Sequence, residues 1–198
     1  FGMQSRVPAF MINMHKVSTK KDAEAYISRL NQIKPLFQQL EENLKERKEA
    51  GIVPPRFVFD HVLDDSRNVI TGYPFEGRDS CALFKDIYFK IHKLDLSESE
   101  KNILVDQAKG AILESVQSAY ISLIGLLRDI ASKTNEKDGV WRWKNGDAFY
   151  YNALKRTTTT DMTAEQIHQL GLSEVDRIHM EMKKIKDQVG FNGSLQDF

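Results

Sequence analysis

The sequence predicts an all-α protein, a multi-helix bundle or array of long antiparallel helices interrupted by one irregular aromatic and Thr-rich segment. Three observations carry this. Apolar residues recur every three or four positions over several long stretches. Helix-start signals of the form Thr/Ser-x-x-acid or amide recur just ahead of those stretches. Gly and Pro fall between them, where helices stop.

The first helix signal is Thr19 with Asp22, a capping box. Behind it Ala23, Tyr26, Ile27, Leu30, Ile33, Phe37, Leu40 and Leu44 form one stripe. Pro35 lies inside that run and removes one backbone donor, so a kink is expected there. Gly51 fits a C-terminal cap, and a second helix is expected to open at Pro54-Pro55 and to run to Gly72. A loop over Tyr73, Pro74 and Gly77 leads to a short helix from about Ser80 to His92, burying Phe84, Ile87, Tyr88 and Ile91. Ser97 with Glu100 starts the longest helix, which ends near Lys133 and spans roughly 50 Å at about 1.5 Å per residue.

The irregular segment follows. Val140 to Trp143 alternates in polarity and fits a short strand; with the turn signal Asn145-Gly146 it suggests a short hairpin near 140–147. Asp147 is placed to cap a helix through about Lys155. Thr163 with Gln166 caps a short helix ending at Gly171, and Ser173 with Asp176 caps a last one bearing Val175, Ile178, Met182, Ile185 and Val189. The chain is read as a single helical domain: an N-terminal extension over 1–18, a long-helix bundle over 19–135, the aromatic and Thr-rich segment over 136–163, and C-terminal helices over 164–190.

Composition excludes several classes of function. Lys+Arg and Asp+Glu are equal at 28 each, which gives no basic stripe for nucleic acid. No unbroken apolar run approaches the roughly 18 residues of a membrane span, so no transmembrane segment is expected. A single cysteine, Cys81, leaves no intramolecular disulfide and no cysteine-only metal site. It is read as a buried structural thiol. The charge run Glu41 to Glu49 contains Glu41-Lys45 at i,i+4 and reads as a solvated helix face.

No nucleophilic site, P-loop or HExxH motif is legible. Two pairs, Glu165 with His168 and Asp176 with His179, have the i,i+3 spacing used by di-metal bundles. Each pair also has an ordinary reading, Glu165 as a first-turn carboxylate and Asp176 as a capping partner. The segment from Gly139 to Asp161 is the stronger candidate. Large rings with polar tips suit a surface that is part packed and part wet. Trp141, Arg142, Tyr150, Tyr151, Arg156 and Thr158 are the candidate substrate-binding residues: the arginines suit carboxylates, the tyrosines donate hydrogen bonds. The alternative is a structural plug whose Thr hydroxyls cap backbone groups.

The run from Asn145 to Ile185 resembles the bacterial domain-of-unknown-function family 885. So do Asp22 to Leu30 (DAEAYISRL), Ala50 to Arg56 (AGIVPPR) and Gly190 to Phe198 (GFNGSLQDF). The resemblance is colinear and covers nearly the whole chain. It implies a mostly helical protein similar to gluzincin metallopeptidases, often an exported lipoprotein of the cell envelope or periplasm. Its zinc motif, a variant His-Glu…Pro-Gly-His, would lie downstream of the stretch matched by Gly190 to Phe198. One departure stands out: Trp143-Lys144 precede the Asn-Gly turn where relatives often have Leu-Pro. The resemblance thus implies a fragment of a longer parent: a non-catalytic, substrate-facing helical half with no cofactor of its own. Zinc is implied for the parent. The implied partners are the remainder of that parent and a peptide substrate. The alternative is a helical binding or scaffold module without chemistry.

Overall fold

The computed structural model describes residues 2–135 and 137–198. The fold is all-α. Among the described residues the only extended pairing is a single bridge between Tyr73 and Ser80. Contacts divide the chain, expected to be one domain, into two compact units, residues 1–138 and 139–198.

The first unit holds α1 (Met3–Asn13), α2 (Lys20–Asn31), α3 (Ile33–Glu49), α4 (Val58–Val69), α5 (Ala82–His92), α6 (Glu98–Ala111) and α7 (Gln117–Lys133). A π-helical turn, Ile112–Val116, joins α6 to α7, so helix runs without interruption over 98–133. This long element is the spine: α2 and α5 pack on α6, while α3 and α4 pack on α7. Its inward face buries Leu104, Ala108, Ile112, Val116, Tyr120, Leu123, Leu127 and Ile130. An eighteen-residue window of it reaches a mean hydropathy of 1.4, enough by length and composition for a membrane span, and half of that window is buried inside the unit.

Residues 1–18, expected to be an extension, are largely a helix. Gln4, Pro8 and Met11 of α1 are buried, and the fully buried Tyr120 donates its hydroxyl to the Gln4 carbonyl. At the other end of α1, Lys90 Nζ donates to the Met11, Ile12 and His15 carbonyls at 3.3, 3.0 and 2.9 Å. A cation at a helix C-terminus satisfies orphan carbonyls and complements the dipole. The same ammonium pairs with Asp86 at 2.7 Å, and Tyr26 donates to that carboxylate at 3.0 Å. This polar knot ties α1, α2 and α5 together, and burial with the Asp86 charge drives the Tyr26 phenol far above its ordinary pKa.

The kink expected at Pro35 is a full one-residue break at Gln32, with Pro35 in the first turn of α3. Pro35 has no N–H to give the Asn31 carbonyl four residues back. Ser115, from the π-helical turn, fills the gap. Its hydroxyl donates to Asn31 O at 3.1 Å and accepts from Lys34 N–H at 3.1 Å. The stripe stays in phase across the break, with Tyr26, Leu30, Ile33 and Phe37 all buried.

Several local expectations shift for identifiable reasons. Gly51 caps α3 at φ 73°, with Ile52 N–H on the Arg47 carbonyl and Gly51 N–H on that of Lys48. Pro54 and Pro55 do not open α4. A turn closed by Val58 N–H on Pro55 O leads into a helix that begins at Val58. Glu41 is not on a solvated face: it is buried against α7 and accepts from Ser122 Oγ at 2.9 Å. Tyr88, expected in the core, is 38% exposed. Cys81 is buried, caps α5 through Sγ, and has its thiol pKa raised by burial, as suits a structural cysteine.

The second unit holds a 3-10 turn (Val140–Arg142), α8 (Gly146–Thr158) and α9 (Ala164–Gln188). The hairpin expected near 140–147 is this turn instead, closed by Trp143 N–H on Val140 O at 3.1 Å. Gly146 is required where α8 starts, because a Cβ there would stand 2.0 Å from the Val140 carbonyl oxygen. Within the irregular segment expected over 136–163, residues 146–158 form α8, and residue 136 lies outside the described residues. Asp147 lies inside its first turn rather than capping it, and the cap position is Asn145. Two short helices were expected between Thr163 and Gly190; α9 is one continuous helix. Gly171 is inside it, and Ser173 Oγ donates back to Leu170 O at 2.8 Å instead of capping a new start.

Candidate functional site

The six candidate residues fall on one short stretch of the second unit but on different faces of it. Trp141, in the 3-10 turn, is 72% exposed. Arg142 lies with its guanidinium 5.1 Å from the Trp143 ring centroid, a cation–π arrangement. Trp143 meets Phe149 edge-on, with centroids 5.6 Å apart, and its buried indole N–H has no partner. Rings and cation form a small aromatic cap over the start of α8.

Along α8 successive residues turn by about 100°. Tyr150, Tyr151, Leu154 and Thr158 therefore share one side of the helix, and both tyrosines are exposed. Phe149 and Arg156 lie on another side, also exposed. The helix does not bring Arg156 to the two tyrosines. Thr158 is half-buried and donates to Leu154 O at 2.9 Å, with its hydroxyl 3.0 Å from that of Thr160. Thr159 takes the left-handed conformation (φ 58°) as the C-cap, and Thr160 accepts from Met162 N–H at 3.4 Å. The Thr run is therefore the terminator of α8. Its hydroxyls stand in for the backbone partners that a helix end leaves missing. An ion pair from Lys155 to Asp161 reinforces it and raises the lysine pKa.

Glu165, His168, Asp176 and His179 lie along one side of α9, all exposed. The first and last are fourteen residues apart in the sequence, about 21 Å on a helix, so they cannot converge on one ion. Glu165 instead accepts from Gln169 at 2.8 Å. Among the described residues no group of three or more His, Cys, Asp or Glu is placed to hold a metal. The zinc that the family resemblance implies for the parent therefore has no fitting ligand set among the described residues.

The apolar stripe of α9 is unburied. Val175, Ile178, Met182, Ile185 and Val189 are each between 38 and 62% exposed. In the second unit the single buried position within a helix is Gly146. An unbroken apolar stripe thus lies exposed along a 25-residue helix.

The first unit carries two concave features the sequence reading missed. One, of about 440 Å³, is lined by Tyr73, Asp79, Phe84, Lys85, Tyr88 and Phe89. Tyr73 packs edge-on against Phe84 at 5.0 Å, with Lys109 Nζ 5.2 Å over its ring. The turn at Gly72 brings Tyr73 there; its φ is 90°, and a Cβ would stand 2.3 Å from Asp79 O. The signal is the run of aromatics at 84, 88 and 89, of which Phe84 and Tyr88 are expected in the core. The other pocket lies between α1 and the α2–α3 break.

These features define a class: an all-α protein with one well-packed unit and one helical unit whose apolar side is open. The chain matches, over residues 1–198, the family described as "Bacterial protein of unknown function (DUF885)", and it belongs to that family. Among solved structures it is similar to one from Colwellia psychrerythraea described as a "putative lipoprotein", with a TM-score of 0.84 and 25% identity. That likeness covers 96% of this chain and 32% of the other, so the chain spans about a third of that relative's length. No curated protein matches.

Proposed function

We propose that this chain is the non-catalytic, substrate-facing helical portion of a larger zinc-metallopeptidase-like protein of the cell envelope, acting on peptides. The single observation that carries the reading is the second unit. It presents Trp141, Tyr150, Tyr151 and the whole apolar stripe of α9 without burying them. In this reading the remainder of the parent chain covers the α9 stripe. The tyrosines on α8 meet peptide backbone, and Arg156, on a different side of α8, meets an acidic group of the substrate or of the parent. The envelope placement is supported by the description of the Colwellia relative as a lipoprotein. Zinc and its ligands would be supplied by the rest of the parent.

The test uses the full-length parent with a mixed peptide library as substrate. Tyr151→Ala and Arg156→Gln are each expected to lower kcat/KM at least tenfold. Unchanged kcat/KM for both variants in an active parent removes the substrate-facing assignment.

A second reading is a helical scaffold with no chemistry, favoured by the lack, among the described residues, of three or more His, Cys, Asp or Glu placed to hold a metal. A full-length protein without hydrolytic activity would support it.

A further inference from the structure

The packed unit contains an apolar pocket unrelated to the α8–α9 surface. It has a volume of about 350 Å³ and lies between α1 and the α2–α3 break, lined by Met3, Val7, Phe10, Met11, Ile33 and Leu36. Small-molecule sites run from about 300 to 1,000 Å³. At about 30 Å³ per water-sized group the space holds roughly eleven or twelve of them, the bulk of a medium-length acyl chain. The break helps to open it, since Gln32 at the break and Ile33 and Leu36 beyond it all line the cavity.

Two cations and no carboxylate border this pocket. Arg6 and Arg29 supply the aliphatic stems of its wall, and long cationic side chains bury their stems while keeping the head in water. Neither has a carboxylate partner among the described residues. Arg29 donates to His15 Nδ1 at 2.9 Å and lies 5.5 Å over the Phe10 ring. Burial, and then Arg29 itself, lowers the His15 pKa, and an imidazole carries no negative charge to offset the guanidinium. Phe10 and Leu36, at 48% and 38% exposure, form an accessible apolar mouth.

We propose that this pocket binds a medium-chain carboxylate of about eight to twelve carbons, with the acyl chain among Val7, Phe10, Met11, Ile33 and Leu36 and the carboxylate at Arg6 and Arg29. The apolar chain is favoured by removal from water. The head is selected by guanidinium groups, which suit a planar carboxylate. Binding would bridge α1 to α2 and α3, so it would also raise the melting temperature of the first unit.

The test is calorimetric titration of sodium octanoate, far below its micelle concentration, into the purified chain, with 1-octanol in parallel. Octanoate is expected to bind saturably at one per chain, and octanol at least tenfold more weakly. Arg6→Gln combined with Arg29→Gln should weaken octanoate at least tenfold and leave octanol unchanged. Leu36→Trp, which fills the mouth from a partly exposed position, should abolish binding of both. Circular dichroism melts verify folding, and Val7→Met takes the place of Leu36→Trp if that variant does not fold. Non-saturable uptake of octanoate, equal affinity for octanol, or undiminished binding by the double arginine variant each overturns the proposal.

Discussion

The two units spend the same kind of sequence differently. In residues 1–138 a three-and-four repeat of apolar residues becomes a closed core: Tyr26, Phe37, Ile87, Ile112 and Tyr120 are fully buried. In residues 139–198 an equally regular repeat on α9 stays open, and Ile178 and Ile185 are 44% and 52% exposed. The periodicity is the same and the outcome opposite. Periodicity reports that a helix has an apolar side; whether that side is covered depends on another element arriving there. In the first unit α6 and α7 arrive. In the second, neither the 3-10 turn nor α8 buries the α9 stripe.

Four measurements sharpen that contrast, from the largest effect down. Phe37→Ala removes a ring packed 4.9 Å from Tyr120 in the closed core. It is expected to lower stability by about 3–5 kcal/mol in urea denaturation followed by circular dichroism; a loss below about 1 kcal/mol would mean that the unit is far less tightly packed than described. Ser115→Ala leaves the Asn31 carbonyl and the Lys34 N–H without their bridge at the helix break. A loss of about 1–2 kcal/mol is expected in the same assay, and an unchanged midpoint would show that the break is closed some other way.

Acid gives the third. The Ser97 hydroxyl first, and then Lys20, pull the Glu100 carboxyl from its ordinary 4.5 down to about 2. A lowered carboxylate contributes stability that is complete above its unfolded value and is lost as pH falls through the folded one. Stability should therefore decline between roughly pH 4.5 and 2, and Glu100→Gln should flatten that part of the profile. Equal slopes for both proteins would deny the carboxylate that role. The smallest effect is expected on the open stripe. Ile178→Ser with Ile185→Ser should leave the stability of this chain within about 0.5 kcal/mol, as surface changes do. A large loss would reveal that α9 is covered after all.

Much of the candidate site was legible as composition and little of it as geometry. The aromatic segment is where the sequence places it, and Trp141, Phe149, Tyr150 and Tyr151 are exposed. Yet Arg156 and the two tyrosines point to different sides of α8, because a spacing of five or six residues on a helix turns the side chain away. The Thr run looked like a loop out of place in a helix. It ends one: β-branched hydroxyl residues are poor helix formers that readily bond the carbonyl four back. The polar knot of Tyr26, Asp86 and Lys90 was invisible, since its members lie up to 64 positions apart and only the fold assembles them.

By itself the sequence determined what four or five neighbouring residues settle among themselves. The capping boxes at Thr19 with Asp22, Ser97 with Glu100 and Thr163 with Gln166 all form where read, and Gly51 ends α3 as expected. Such signals need only a local hydrogen bond or a positive φ. The tertiary structure decided everything that depends on a distant surface. It set the break at Gln32 and its repair by Ser115 eighty-three positions away, and the burial of Glu41 beneath Ser122. It also decided which of two similar stripes became a core. The physical reason is that burial is a relation between surfaces, and a stripe carries only one of them.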